Sequence, residues 1–115
     1  MSNALPITPG AVNDYVSVAA SQSAAPVTKN GVAGGVGDYV DGVLVIPTTT
    51  AAGAVTLNDL TTAIGGNALF DGGAVTALTT LVPFYIPVGA RSRNGGWTLT
   101  TGANVRAIVF GTFSS

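Results

Sequence analysis

Apolar and polar residues alternate along this chain in several short runs, at the period of two that a half-buried β-strand imposes. Residues 15–20 place Val16 and Val18 on one face. Residues 39–46, ending at Pro47, divide into Val40, Leu44 and Ile46 on one side and Tyr39, Val43 and Val45 on the other, with Asp41-Gly42 marking a bulge. The clearest alternation is 81–88, where Val82, Phe84, Ile86 and Val88 share a face opposite Pro83, Tyr85 and Pro87. Two prolines remove two ladder donors, so this strand belongs at a sheet edge or against a neighbouring subunit. Residues 97–100 turn Trp97 and Leu99 inward and Thr98 and Thr100 outward. Residues 105–113 are almost continuously apolar, the pattern of a central strand covered on both faces.

Between these runs the chain carries turn and loop chemistry. Residues 1–13, with Pro6, Pro9 and Gly10 and little periodicity, read as an extended N-terminal arm, leaving 14–115 as a single β-sandwich domain. Residues 21–37 are small, polar and glycine-rich and read as a long loop. After a turn at 48–53, a short strand is expected at 54–57. Asn58 stands where it would cap one helical turn through Leu60, Ala63 and Ile64, ended by Gly65-Gly66. Weaker strands are expected at 68–70 and 74–78, on either side of Asp71-Gly72-Gly73. Asn94-Gly95 is the strongest hairpin signal, because a type I′ turn needs positive φ at both central residues, and 101–104 makes another turn. Seven or eight strands at this spacing predict an all-β, antiparallel β-sandwich, either jelly-roll or immunoglobulin-like.

Composition shifts the expected role from chemistry to contact. The chain has no histidine, cysteine or glutamate and a single lysine, Lys29, so most of the side chains that move protons or act as nucleophiles are missing. A protein that presents surfaces, rather than an enzyme, is expected. Charged residues are 8% of the chain against a typical ~25%. Apolar residues are 47%, yet the longest uninterrupted apolar stretches run only four or five residues, far short of the ~20 of a membrane-spanning helix. No membrane partner is expected; the surplus apolar surface should lie in contacts between chains, as in a homo-oligomer. A net charge of −1 without basic runs gives no reason to expect nucleic acid. The opening Met1-Ser2-Asn3-Ala4 has neither the basic nor the apolar region of a secretory signal. All five aspartates lie between Asp14 and Asp71, while Arg91, Arg93 and Arg106 lie in the last quarter. Two readings fit: chance, or acidic and basic regions of neighbouring copies meeting.

Few constellations survive inspection for chemistry. Gly31, Gly34, Gly35 and Gly37 lack the Gly-Lys-Ser/Thr ending of a phosphate loop and precede a strand, so they read as surface loop. Asp38 and Asp41, three apart in an extended run, point to opposite faces and make no carboxylate pair. Calcium takes oxygen ligands only, but no Asp-x-Asp-x-Asp spacing is present; turn-capping is the expected role of the aspartates, and no cofactor is expected. The segment from Arg91 to Trp97 combines guanidinium groups with an aromatic at a turn. Because Trp97 has the phase of Leu99 it is assigned to the core, which leaves the arginines for contact. The candidate interface residues are Leu5, Pro6, Ile7 and Pro9 of the arm, Tyr85, Arg91 and Arg93.

Several segments also carry a resemblance. They are Thr8-Pro9-Gly10; Gly37-Asp38-Tyr39-Val40 leading into Leu44-Val45-Ile46-Pro47; and Gly53-Ala54-Val55-Thr56-Leu57-Asn58-Asp59. The longest is Ile86-Pro87-Val88-Gly89-Ala90-Arg91-Ser92-Arg93-Asn94-Gly95-Gly96-Trp97, followed by Thr100-Thr101-Gly102-Ala103-Asn104-Val105 and Gly111-Thr112-Phe113. In these the chain is similar to the small virion proteins that decorate or cement the heads of tailed bacteriophages. The resemblance implies a β-sandwich assembled as a symmetric oligomer, commonly a trimer, on the outer surface of the capsid. There it would clamp neighbouring major capsid protein subunits against internal pressure. It brings no catalytic residues. A second class is a tail or head-fibre module binding host-surface carbohydrate through exposed aromatics among Tyr15, Tyr39, Tyr85 and Trp97. A hydrolase using aspartates alone is the weakest of the three.

Overall fold

The alternating runs become eight strands: β1 (Asp14–Val18), β2 (Ala25–Pro26), β3 (Tyr39–Pro47), β4 (Val55–Asp59), β5 (Thr62–Ala63), β6 (Phe84–Arg91), β7 (Trp97–Thr101) and β8 (Val105–Thr112). They are seen in a computed structural model, which describes residues 14–49, 51–64, 66, 68–70 and 82–113. The antiparallel pairs nest, β1 with β8, β2 with β7, β3 with β6 and β4 with β5, as in one long ribbon folded back on itself. Rolling that ribbon brings β8 beside β3 and β7 beside β4, so the sheets run β1-β8-β3-β6 and β2-β7-β4-β5. This order is a jelly roll. An immunoglobulin-like sandwich would pair the first two strands in one sheet, whereas β1 and β2 lie in different sheets.

Valine dominates the space between the sheets. Val40, Val43, Val45, Val105 and Val109 of the first sheet and Val55, Leu57, Trp97 and Leu99 of the second are fully buried or nearly so. β-Branched side chains suit this role because their restricted rotamers pack well on a pleated surface. Trp97, 1% exposed, is the largest fully buried side chain, and its indole Nε1 donates to the Asp38 carbonyl at 2.8 Å. The core assignment of Trp97 and Leu99 thus holds, as does the shared inward face of Val16 and Val18.

The bulge at Asp41-Gly42 is present and corrects the phase around it. Against β8, Val40 pairs with Gly111 and Gly42 with Phe110, leaving Asp41 as the extra residue. Val40 therefore faces inward with Val43 and Val45, while Leu44 and Ile46 face outward. β6 lies at a sheet edge, as Pro87 favours; Pro83 falls just before the strand. β8 is central between β1 and β3, but only one of its faces packs on the other sheet; Ile108 and Phe110 on the outer face are half-buried.

Three further expectations change. The helical turn after Asn58 is instead a tight β-turn: β4 continues to Asp59, Leu60 adopts φ 63, and Asn58 and Asp59 pair with Ala63 and Thr62 of β5. Asn58 is in a ladder and caps nothing. Asn94-Gly95 joins no hairpin, because β6 and β7 lie in different sheets; positive φ falls on Gly95 and Gly96. The 21–37 loop contains β2, held to β7 by Ala25 and Pro26. In the 68–70 segment, Phe70 forms an isolated bridge with Val55. The arm at 1–13 and the strand expected at 74–78 lie outside the described residues.

What replaces the hairpin is a polar knot around Asp59. Its Oδ1 accepts the Ser92 hydroxyl at 2.6 Å and the Asn94 backbone N–H at 3.2 Å, and its Oδ2 accepts the Arg93 N–H at 2.8 Å. The Ser92 hydroxyl in turn accepts the Gly96 N–H at 2.7 Å. Burial of Asp59 pushes its pKa up, but the hydrogen bonds from Ser92, Arg93 and Asn94 and the Arg93 charge outweigh it and leave the carboxyl below its ordinary value of 3.8. A depressed carboxylate contributes stability above its unfolded pKa and loses it as pH falls through the folded value. Asp59→Ala would leave buried donors without an acceptor and is expected to cost about 2–4 kcal/mol in chemical denaturation. Asp59→Asn is expected to cost less and to flatten the loss of stability below about pH 4; an unchanged acid profile would refute the assignment.

Candidate functional site

The outer face of the β1-β8-β3-β6 sheet gathers most of the exposed aromatic surface of the described residues. Cross-strand neighbours share a face. Tyr15, Phe110, Gly42 and Pro87 therefore form one row, and Ser17, Ile108, Leu44 and Tyr85 the next. Tyr39, in register with Thr112 and Arg91, also faces outward. All three tyrosines of the chain thus lie on one face. Tyr15 is 63% exposed and Tyr85 44%. The corresponding face of the other sheet carries Thr56, Asn58, Ala63, Thr98 and Thr100, a largely polar, hydroxyl-bearing surface suited to water.

The bulge builds the centre of the aromatic face. By adding one residue to β3 it turns both Asp41 and Gly42 outward. The Tyr85 ring lies over Gly42, where any Cβ would overlap it, and meets the Phe110 ring at 6.1 Å. From there Tyr85 Oη donates to Asp41 Oδ2 at 2.7 Å, while Tyr39 Oη donates to Asp41 Oδ1 at 3.2 Å. Burial first, then the hydrogen bond to Asp41 and its charge, push the Tyr85 phenol up to about 12. The same causes raise Tyr39, with Arg91 opposing them. Neutral phenols clamped on one carboxylate hold these rings in place.

Of the residues expected at an interface, Tyr85 stands in the middle of this face and Arg91 at its margin, in register with Tyr39. Arg93 is exposed in the turn before β7, away from the face. Leu5, Pro6, Ile7 and Pro9 lie outside the described residues. Sequence reasoning did not single out Asp41 and Phe110 as part of this face, and it named Tyr15 and Tyr39 only among the aromatics of the carbohydrate-binding reading. The usable signal was the outward phase of the tyrosines, once the bulge is counted as an extra residue. Among the described residues, no three side chains of metal-binding type come together.

Fold and face together define a jelly-roll module with one aromatic and one hydroxyl-lined outer surface. Comparison with protein-family models, curated proteins and solved structures finds no match to the chain.

Asp41→Asn removes the charge that opposes phenolate formation, so the Tyr85 ionisation near 12 is expected to fall toward 10 in a spectrophotometric titration of tyrosinate. Gly42→Ala should do the same by expelling the ring. Because the folded pKa is raised, stability held by neutral Tyr85 is present below its unfolded value and lost as pH rises through the folded one. The loss of stability that the parent shows between about pH 10 and 12 should therefore be smaller in both variants.

Proposed function

We propose that this chain is a structural virion protein, not an enzyme, that decorates and cements a bacteriophage capsid. It sits on the outer surface as a homo-oligomer, most simply a trimer, and bridges neighbouring major capsid protein subunits. The observation that carries this reading is the contrast between the two outer sheet faces. Tyr15, Tyr85, Phe110, Leu44 and Ile108, with arginine at the margin, match the composition of protein-interface centres, which are rich in aromatic residues and arginine. The opposite face needs no partner. The shortage of reactive side chains and the resemblance of 86–113 to phage decoration proteins support the same reading.

Size constrains the contact. Four strands ~4.8 Å apart and a few residues long present a face on the order of 400 Å², about half of what each partner contributes to a standard interface. The remainder is assigned, on sequence grounds, to Leu5, Pro6, Ile7 and Pro9. The exposed rings of Tyr15 and Tyr85 favour, as a second reading, a tail or head-fibre module that stacks host-surface sugars.

Particles assembled from the encoding genome without this protein provide the test. Added protein is expected to bind them on the head, as seen by immunogold labelling. Tyr15→Asp, at a position 63% exposed, should weaken attachment about tenfold or more while leaving the melting temperature unchanged. Label on the tail, or undiminished attachment, would overturn the reading. Sedimentation equilibrium should show an oligomer rather than a single 11.3 kDa species, and deletion of residues 2–12 should weaken attachment.

A further inference from the structure

A second candidate surface lies at the edge of the sandwich and shares only Arg91 with the margin of the aromatic face. β5 and β6 are the outermost strands of their sheets, and an open cleft of about 350 Å³ runs between them. Ile64 and Ala90 line its apolar walls, Arg91 and Arg93 stand on its rim side, and Asp59 and Trp97 border its inner end. Among the described residues β6 pairs on one side only, with β3, so backbone groups along its other edge face the cleft side.

The charge placement is distinctive. Most aspartates are engaged inside the molecule. Asp14 pairs with Lys29 at 3.2 Å, Asp41 holds two tyrosines, Asp59 holds the β6–β7 crossing, and Asp38 is buried and accepts the Gly35 N–H at 3.3 Å. The arginines are different. Arg91, Arg93 and Arg106 are exposed, and among the described residues none has a carboxylate within 4.0 Å. A chain of net charge −1 thus presents positive charge, with two guanidinium groups at one cleft. Asp59 also borders the cleft, but both its oxygens already accept donors from Ser92, Arg93 and Asn94.

We propose that this cleft docks an extended acidic segment of a partner protein, of the form carboxylate-x-carboxylate. The two acidic side chains meet Arg91 and Arg93 while the backbone of the segment runs along the edge of β6 that is unpaired among the described residues. Residues two apart in an extended chain project to the same side about 6.6 Å apart, which suits a pair of arginines two residues apart. Guanidinium groups pair with carboxylates through parallel hydrogen bonds, and strand addition to a free edge supplies the main-chain contacts. Ile64, 40% exposed, and Ala90 cover the apolar part of the segment. Although Arg91 also borders the aromatic face, the test is separate from that reading, since it uses the isolated protein and no particle.

The probe is hexaglutamate, with hexaglutamine and oligogalacturonate as comparisons. Trp97 is the only tryptophan and borders the cleft, so its fluorescence reports occupancy, with calorimetry as a second readout. Hexaglutamate is expected to bind with a dissociation constant below about 1 mM and to be displaced by about 1 M salt, whereas hexaglutamine should not bind. Arg91→Gln combined with Arg93→Gln should weaken binding about tenfold or more, with circular dichroism confirming the fold, while Arg106→Gln should bind as the parent does. Absence of hexaglutamate binding, equal loss in Arg106→Gln, or full binding by the double variant would each overturn the proposal. Binding of oligogalacturonate in preference to hexaglutamate would overturn it in favour of an acidic glycan.

Discussion

The constraint on which the sandwich depends is the capture of the β6–β7 crossing by Asp59. The crossing leaves one sheet and enters the other within five residues, Ser92 to Gly96, so several backbone donors face inward with no strand to pair them. Asp59, at the end of β4, and the Ser92 hydroxyl accept them. Asp38, at the start of β3, closes the same end: its carbonyl takes the Ser92 N–H at 2.7 Å and the Trp97 indole at 2.8 Å. Gly34 and Gly96 allow this approach, since a Cβ on Gly96 would meet the Gly34 backbone at 2.7 Å. A core made largely of valine, with Trp97, Leu57, Leu99 and Phe113 as its larger members, packs without directionality, and the knot adds directional bonds that hold the sheets in register.

A local irregularity at the other side of the first sheet sets the outer surface. Without the bulge at Asp41, strict alternation along β3 would turn Val40 outward with Leu44 and Ile46 and break the core. With it, every buried valine of β3 keeps its place, and the carboxylate emerges between Tyr39 and Tyr85. Bulges re-aim side chains in this way because two residues oppose one across the ladder. Core packing and the aromatic face are thus consequences of one inserted residue, and the face owes its rigidity to phenols that stay protonated beside Asp41.

Charge follows the same economy. With few charged side chains, the fold engages the described carboxylates in its own contacts, Asp38 and Asp59 at turns, Asp14 with Lys29 and Asp41 with two tyrosines, and leaves its arginines at the surface. The electrostatic character seen by a partner is therefore opposite in sign, locally, to the net charge of the chain. This follows from geometry: aspartate is short enough to cap a turn or collect backbone donors, while arginine, with its long stem, reaches solvent.

The longer strands β1, β3, β4, β6, β7 and β8, the edge location of β6, the central place of β8, the bulge at Asp41-Gly42 and the burial of Trp97 were legible in the sequence, because periodicity, proline and glycine act locally; the two-residue strands β2 and β5 were not. The choice of jelly roll over an immunoglobulin-like order was not, since it depends on which distant strands pair. Asn58 and Asn94-Gly95 show why local signals fail at crossings. Each has the chemistry of a cap or hairpin, yet Asn58 is held in a ladder with Ala63, and the turn at Asn94 serves a carboxylate 35 residues earlier in the chain. Tyr85 and Arg91 could be named as contact residues from sequence, but the face they border could not. Tyr15, Phe110, Asp41 and Tyr85 come from four different strands, and only the register of the folded sheet brings them side by side.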